Sequence, residues 1–308
     1  MFILKYKKIF FATALVLILG SLGALIWKGF VLGVDFTGGS VLEVSYVNRP
    51  SIDVIKGMVM PLRPDARIQE LGAESIIVRT EPIDQATKNS ILSALVIDGQ
   101  SPTEKRFNTI GPSIGSELRA KSLLSIIVVS LAIILFIAFA FRGVSGSVDS
   151  SQGSENKPRY LSSWKYGLVA IVVLAHDILI PAGVFAFFGL QVDTLFVVGL
   201  LTILGISVND TIVVFDRIRE NLQVNDTKHL HQSFETMVGN SIDQTFTRSL
   251  MTSVAVLLAL AALWIWGPET TRNLSIAMFL GMFFGTYSSI FIASPLLVVW
   301  EKWQSKNK

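Results

Sequence analysis

No cysteine occurs anywhere in the 308 residues. That absence excludes disulfides, thiol catalysis and cysteine-held zinc or iron–sulfur sites. Charge is scarce as well: Asp, Glu, Lys and Arg make up 16% of the chain, against about 25% in an ordinary soluble domain. The net charge of +3 is too small to suggest a nucleic-acid partner, and none is expected. There is no HExxH pair, no Walker loop and no GxGxxG opening a helix after a strand, and no Gly-x-Ser-x-Gly nucleophile elbow is expected. His176-Asp177 has no other nitrogen or thiolate ligand near it in sequence, so no metal and no cofactor is expected. A hydrolase built on Ser207 and His176 has no further support, and the chain is not expected to be an enzyme.

Apolar sequence is abundant. Hydrophobic residues make up 51% of the chain, and the mean hydropathy is +0.57. Such a composition indicates an integral membrane protein before any motif is read. Lys5, Lys7 and Lys8 precede an apolar run over residues 9–27. A cleaved signal peptide starts in the same way, but this run has the length of a full span, about 20 residues. Residues 1–27 are therefore assigned to an uncleaved first transmembrane helix.

Residues 28–120 are richer in charge and proline and hold no span-length apolar run. They form the expected extracytoplasmic domain. Gly33-Val34-Asp35-Phe36-Thr37-Gly38-Gly39 opens it, and its glycines suit a tight turn feeding a strand. Strands are expected over 41–47, 67–71, 75–80 and 106–110, and helices over 52–60 and 83–96. The strand at 41–47 sets Leu42, Val44 and Tyr46 on one face. The order β-α-β-β-α-β is the ferredoxin-like split, and a short helix after Gly111 leads back to the membrane. Arg67, Arg79 and Arg106 are assigned to the domain's solvated surface.

Residues 121–308 carry five further spans, near 122–141, 166–190, 194–215, 249–266 and 273–299. Links at 142–165, which include a Ser/Gly-rich stretch at 144–156, and at 216–248 join them. An interfacial helix is expected at 229–238. The fold class is thus an α-helical membrane protein of six transmembrane helices, with a ferredoxin-like α+β domain between the first two. Lys and Arg concentrate in the N-terminus and in the links after spans two and four. The positive-inside rule then places both termini in the cytoplasm and the domain on the other side.

Ionisable residues within spans are costly in lipid and are functional candidates by default. His176-Asp177 falls in the middle of span three. Only residues 191–193 separate spans three and four, which makes them antiparallel neighbours. Equal counting from that turn sets Asp177 level with about Ile206, one turn from Asn209 and Asp210. Asp177, Asn209 and Asp210 are expected to line one polar seam, with Arg217 where it opens to the cytoplasm. Carboxylates held away from water change protonation as their surroundings change, as a proton relay requires. His176 is a relay member or packing glue between helices. Asp216 is a further candidate for the proton path; Asp216, Arg217, Arg219 and Glu220 lie at the interface, where a solvated charge cluster is also normal. Gly199, Gly205, Gly281 and Gly285 are assigned to close helix packing.

The Gly33–Gly39 motif, His176-Asp177 and Ser207-Val208-Asn209-Asp210-Thr211-Ile212-Val213-Val214-Phe215-Asp216-Arg217-Ile218-Arg219-Glu220-Asn221 together resemble the SecF family. SecF is the smaller half of the bacterial SecD–SecF complex, and the resemblance covers essentially the whole chain. The glycine motif, with Gly33, Asp35, Phe36, Gly38 and Gly39, is shared with SecD. Asn209, where SecD usually has Asp, and the small extracytoplasmic domain both favour SecF.

The resemblance implies membership of the resistance–nodulation–division superfamily and residence in the bacterial inner membrane, among its lipids. It implies a SecD-like partner and assistance to preprotein export through SecYEG after the SecA motor has acted, with YajC among the expected neighbours. It implies that proton flow drives the extracytoplasmic domains. Asp177 and Arg217 match positions implicated in the proton path, and Asn209 and Asp210 match its fourth-span polar site. The insert at 144–156 is longer than usual in the family. Two other readings are a stand-alone proton-driven exporter of small molecules and a purely structural scaffold. The first is disfavoured because such pumps normally need two halves of this kind.

Overall fold

Backbone crossing lipid has no water to bond to, so every span must satisfy its own amides and carbonyls as a helix. In the computed structural model, which describes residues 2–97, 99–140, 163–230 and 232–306, the long apolar runs do so. The chain runs as α1 (Lys7–Lys28), β1 (Gly39–Ser45), α2 (Ile52–Val59), β2 (Arg67–Leu71), β3 (Ser75–Thr80), α3 (Gln85–Ala94) and β4 (Thr103–Ile110). It continues as α4 (Pro112–Ala140), α5 (Ser163–Phe188), α6 (Thr194–Thr227), α7 (Phe234–Trp266), α8 (Arg272–Ser288) and α9 (Ser294–Lys306). Among the described residues, six helical stretches are long and apolar enough to cross a membrane: α1, α4, α5, α6, α7 and the run 272–303. The chain is a multi-pass membrane protein. The Ser/Gly-rich stretch at 144–156 lies outside the described residues.

Two compact units form, residues 32–123 and residues 1–31 with 124–308. In the smaller unit the four strands pair antiparallel in the order β2-β3-β1-β4, the ferredoxin-like arrangement. Alternation along β1 turns Leu42, Val44 and Tyr46 into a buried row. Ile76 and Val78 of β3 face the same way, and Ile55, Val59, Ile91 and Leu95 of the two helices cover them. Tyr46 keeps its hydroxyl satisfied by donating to the Leu95 carbonyl at 2.9 Å. The Asp84 side chain caps α3 by accepting from the Thr87 amide. Arg79 departs from the expected solvated surface. It is half-buried in β3 and donates to Gln69 Oε1 at 2.6 Å.

In the membrane unit two expected boundaries move. α6 does not stop near residue 215 but continues to Thr227, and among the described residues of 229–238 there is no separate interfacial helix. Instead α7 starts at Phe234 and runs unbroken to Trp266. The cause is packing. Ile218 and Leu222 on α6 are buried, as are Phe234, Met237, Val238 and Ile242 on α7. The charged residues that suggested a link occupy the outer faces of two helices whose inner faces are apolar. The turn between them is tied by Asn225, whose Oδ1 accepts from the Gln232 amide at 3.0 Å. The last span is also interrupted: a π-helical turn, Ser289–Ala293, separates α8 from α9. Such turns misalign the backbone ladder locally and recur at functional sites.

Candidate functional site

The centre of the bundle is polar. Asp177 and His176 on α5 are 0% and 1% exposed, within a helix otherwise rich in Ile, Val and Leu. Pro181 sits four residues beyond Asp177, so it supplies no amide to the Asp177 carbonyl and weakens the ladder at that turn. His176 Nδ1 lies 2.9 Å from Asp177 Oδ1. The Ser207 hydroxyl of α6 donates to Asp177 Oδ2, and the Ser288 hydroxyl of α8 is set against the same carboxyl. A buried carboxyl left bare would cost several kcal/mol. Here three helices supply it with partners.

Two neighbouring layers extend the site. On one side, the His176 ring stacks on Tyr287 with centroids 6.1 Å apart, and Tyr287 donates its hydroxyl proton to the Phe10 carbonyl of α1 at 2.9 Å. His176 Nε2 is buried without a hydrogen-bond partner among the described residues. On the other side, Thr211 Oγ1 lies 2.8 Å from Ser289 Oγ. Both of those hydroxyls also reach the Ser207 carbonyl, at 3.1 and 3.3 Å. The π-helical turn is what swings Ser289 toward α6. Gly285 makes the close approach of α8 possible: a methyl there would lie 3.1 Å from Ser207 Cβ.

Asp210 lies one turn along α6 from Ser207. It faces Ser249 and Arg248 of α7. Asp210 Oδ2 and Ser249 Oγ are both buried and have no hydrogen-bond partner among the described residues. Ser207, Asp210, Gly285 and Thr286 line a crevice of about 10 Å³ between the helices.

The expected seam is therefore corrected at one member and shortened at another. Asn209 is exposed on the outer face of α6, away from Asp177. Successive helical residues turn by about 100°, so residues 207, 209 and 210 cannot all face one neighbour. Arg217 is ten residues beyond Ser207, about 15 Å along the helix. It donates instead to Gln244 at 2.6 Å and to Glu220 at 2.5 Å. Asp216 is exposed, 3.9 Å from Arg219. Gly205 meets nothing within 4 Å and so is not a packing glycine, unlike Gly281, where a methyl would collide with Ile203. Ser207, Ser288, Ser289 and Thr211 were not singled out for this site from sequence. Their available signal is the small-residue spacing of span six, where Gly281, Gly285, Ser288 and Ser289 fall on facing turns.

The glycine motif belongs to the smaller unit. Gly33 opens a single helical turn, Val34–Thr37, which buries Phe36 and places Asp35 in its first turn. Gly38 and Gly39 follow with φ of 72° and 132°. Side chains are excluded there twice over: a methyl on Gly38 would lie 2.8 Å from Pro112 Cα, and one on Gly39 would lie 2.7 Å from the Thr80 carbonyl oxygen. Gly111-Pro112-Ser113-Ile114-Gly115 spells the Gly-x-Ser-x-Gly pattern of a nucleophile elbow between a strand and a helix. Ser113 is exposed, and the described histidines all belong to the membrane unit. Gly115 has a packing role, with its Cα side pressed on the Gly38 amide.

Comparisons with known proteins agree on the family. The model for the protein export membrane protein SecD/SecF C-terminal region matches residues 160–303, and that for the SecD/SecF GG motif matches residues 24–48. The protein translocase subunit SecF of Anaerolinea thermophila is 34% identical, covering 99% of this chain and 96% of its own length. That of Pseudomonas aeruginosa is 34% identical over 95% of this chain and 89% of its own. The crystal structure of SecDF, a translocon-associated membrane protein from Thermus thermophilus, matches 97% of this chain with a TM-score of 0.81 and 30% identity. This chain spans 38% of the length of that one. The chain belongs to the SecD/SecF family of protein-export membrane proteins, on the SecF side.

Proposed function

We propose that this chain is the smaller subunit of an accessory complex that uses the proton-motive force to assist preprotein export through the Sec channel. The observation that carries the reading is Asp177. A carboxyl fully removed from water, at mid-span, and held by side chains from three helices is suited to take up and release a proton as those helices move. Each charge crossing supplies about 2.3 kcal/mol per 100 mV of membrane potential. His176, Ser207 and Ser288 orient the carboxyl; Asp210 extends the path toward α7; Arg217 and Asp216 belong to its cytoplasmic end.

A SecD-like partner completes the site in this reading. Asn209 and Asp216 lie on the exposed face of α6, where a polar side chain is costly against lipid and is relieved by a second helix bundle. SecYEG, SecA-delivered preproteins and YajC are the further expected neighbours. The chain resides in the bacterial inner membrane with both termini in the cytoplasm. In support, Lys7 near the N-terminus and Lys302 near the C-terminus converge on Glu235, at 3.2 and 2.5 Å.

The test is Asp177→Asn in vesicles containing the full chain, its SecD-type partner and the SecYEG–SecA machinery. Proton flux and the proton-motive stimulation of translocation are both expected to be lost. Wild-type behaviour in both would refute the relay and leave a scaffold. Drug extrusion by the chain without any partner would favour the small-molecule exporter.

A further inference from the structure

The geometry points to a hydroxyl-bridged proton wire that joins a half-buried carboxylate to the fully buried one: Asp210, one water in the crevice between α6, α7 and α8, the Ser207 hydroxyl, and Asp177. It rests on the reading of Asp177 as the proton carrier and adds the route by which the proton reaches it. Ser207 is the only side chain that both bonds Asp177 and lines the crevice that Asp210 enters, among the described residues. Its single hydroxyl proton is committed to Asp177 Oδ2. Its lone pairs remain as acceptors on the crevice side.

Asp210 and Ser207 are three apart on one helix, with Cβ atoms about 5–6 Å apart. The Ser207 hydroxyl bonds Asp177 and Asp210 Oδ2 has no direct partner among the described residues, so one bridging water joins the two. The crevice of about 10 Å³ has room for that water. Ser207, Asp210 and Thr286 are the polar residues of its otherwise apolar lining. Among the described residues, Asp210 Oδ2 is a buried atom without a hydrogen-bond partner. Buried polar atoms of this kind are usually met by ordered water. Gly285 keeps the crevice open. A methyl at that position would lie 3.3 Å from Ser207 Oγ and 3.6 Å from Asp177 Oδ2.

The transfer balances. The protonated Asp210 carboxyl gives its proton to the water, and the water gives one of its own to Ser207 Oγ. Ser207 releases its original proton to Asp177 Oδ2. Asp210 ends as a carboxylate and Asp177 as a neutral acid, with water and serine restored. His176 Nδ1 holds the other oxygen of Asp177 throughout. Arg248 faces Asp210 and stabilises the carboxylate left behind. Ser207 is thus a positioning and relay residue, not a nucleophile.

Proton flux into vesicles holding the full chain with its SecD-type partner, followed by a pH-sensitive dye, tests this. Asp177→Asn is expected to abolish flux. Ser207→Ala is expected to lower it by about a hundredfold, the scale of one lost proton-transfer group. Ser207→Cys, a near isostere with a weak donor, should retain an intermediate flux. Its solvent deuterium isotope effect should rise, because passage through position 207 becomes limiting. Wild-type flux in Ser207→Ala beside a dead Asp177→Asn would overturn the wire and leave Asp177 in its role. Wild-type flux in both would overturn the role of Asp177 and the wire together. If Ser207→Ala does not fold, Ser207→Cys decides: wild-type flux with an unchanged isotope effect overturns the wire.

Discussion

The two units of this chain bury different things. The smaller unit closes over an apolar row, Leu42, Val44, Ile76 and Val78. The membrane unit does the reverse. Its lipid-facing surface is apolar, and its centre holds Asp177, His176, Ser207, Ser288, Ser289 and Thr211. Water is the reason. The hydrophobic effect drives the first core, whereas lipid tails are as apolar as leucine and give no such drive between helices. The bundle is held instead by close packing at Gly183, Gly281 and Gly285 and by hydrogen bonds among its polar centre. One core is built for stability, the other for a change of state.

The contrast can be broken from the membrane side first. Asp177→Asn is expected to eliminate proton flux, while amide exchange in β1 and β3 stays at wild-type rates. Slowed flux together with faster exchange in those strands would show that the substitution acts through stability. Ile91→Ala works the other way. It removes a fully buried side chain from the smaller unit, at a cost of about 2–5 kcal/mol. Exchange should quicken throughout β1 and β3 without changing proton conduction through the bundle.

Gly38→Ala should have a smaller effect, about 1–3 kcal/mol, because it forces alanine into φ of 72° against the start of α4. Its readout is exchange at Gly39 and Ser40, with other amides of the unit less affected. Uniform destabilisation would mean that the glycine pair supports the whole sheet.

The smallest effect concerns pH. Arg63 hydrogen-bonds Asp65 at 2.8 Å and holds its carboxyl down at about 2. An unfolded aspartate titrates near 3.9. The folded pKa is the lower one, so the pair's contribution is complete above about pH 4 and is lost as pH falls toward 2. Solvent screens this partly exposed pair, which limits it to under about 1 kcal/mol. Asp65→Asn should remove that part of the acid sensitivity in thermal melts, and an unchanged acid limb would exclude it.

Much was legible in the chain. The strands at 67–71 and 75–80, the buried alternation of β1 and the glycine motif follow from period, turn chemistry and β propensity, all of which are local. Asp177 was legible because a carboxylate within an apolar run stands out without knowledge of its neighbours. The continuous α6 and α7 were not, because charges at 216–220 mark a helix face as readily as a link.

The sequence by itself determined that α6 carries Ser207, Asn209 and Asp210 at fixed angles of about 100° per residue. Only the tertiary structure decided that Ser207 turns to Asp177, Asp210 to α7, and Asn209 to the outside. In water, the apolar face of a helix names its own inward direction. A span surrounded by lipid is apolar on every side. The direction of its polar residues is then set by what the neighbouring helices present: Gly285 and the π-helical turn at Ser289 on α8, and Ser249 on α7.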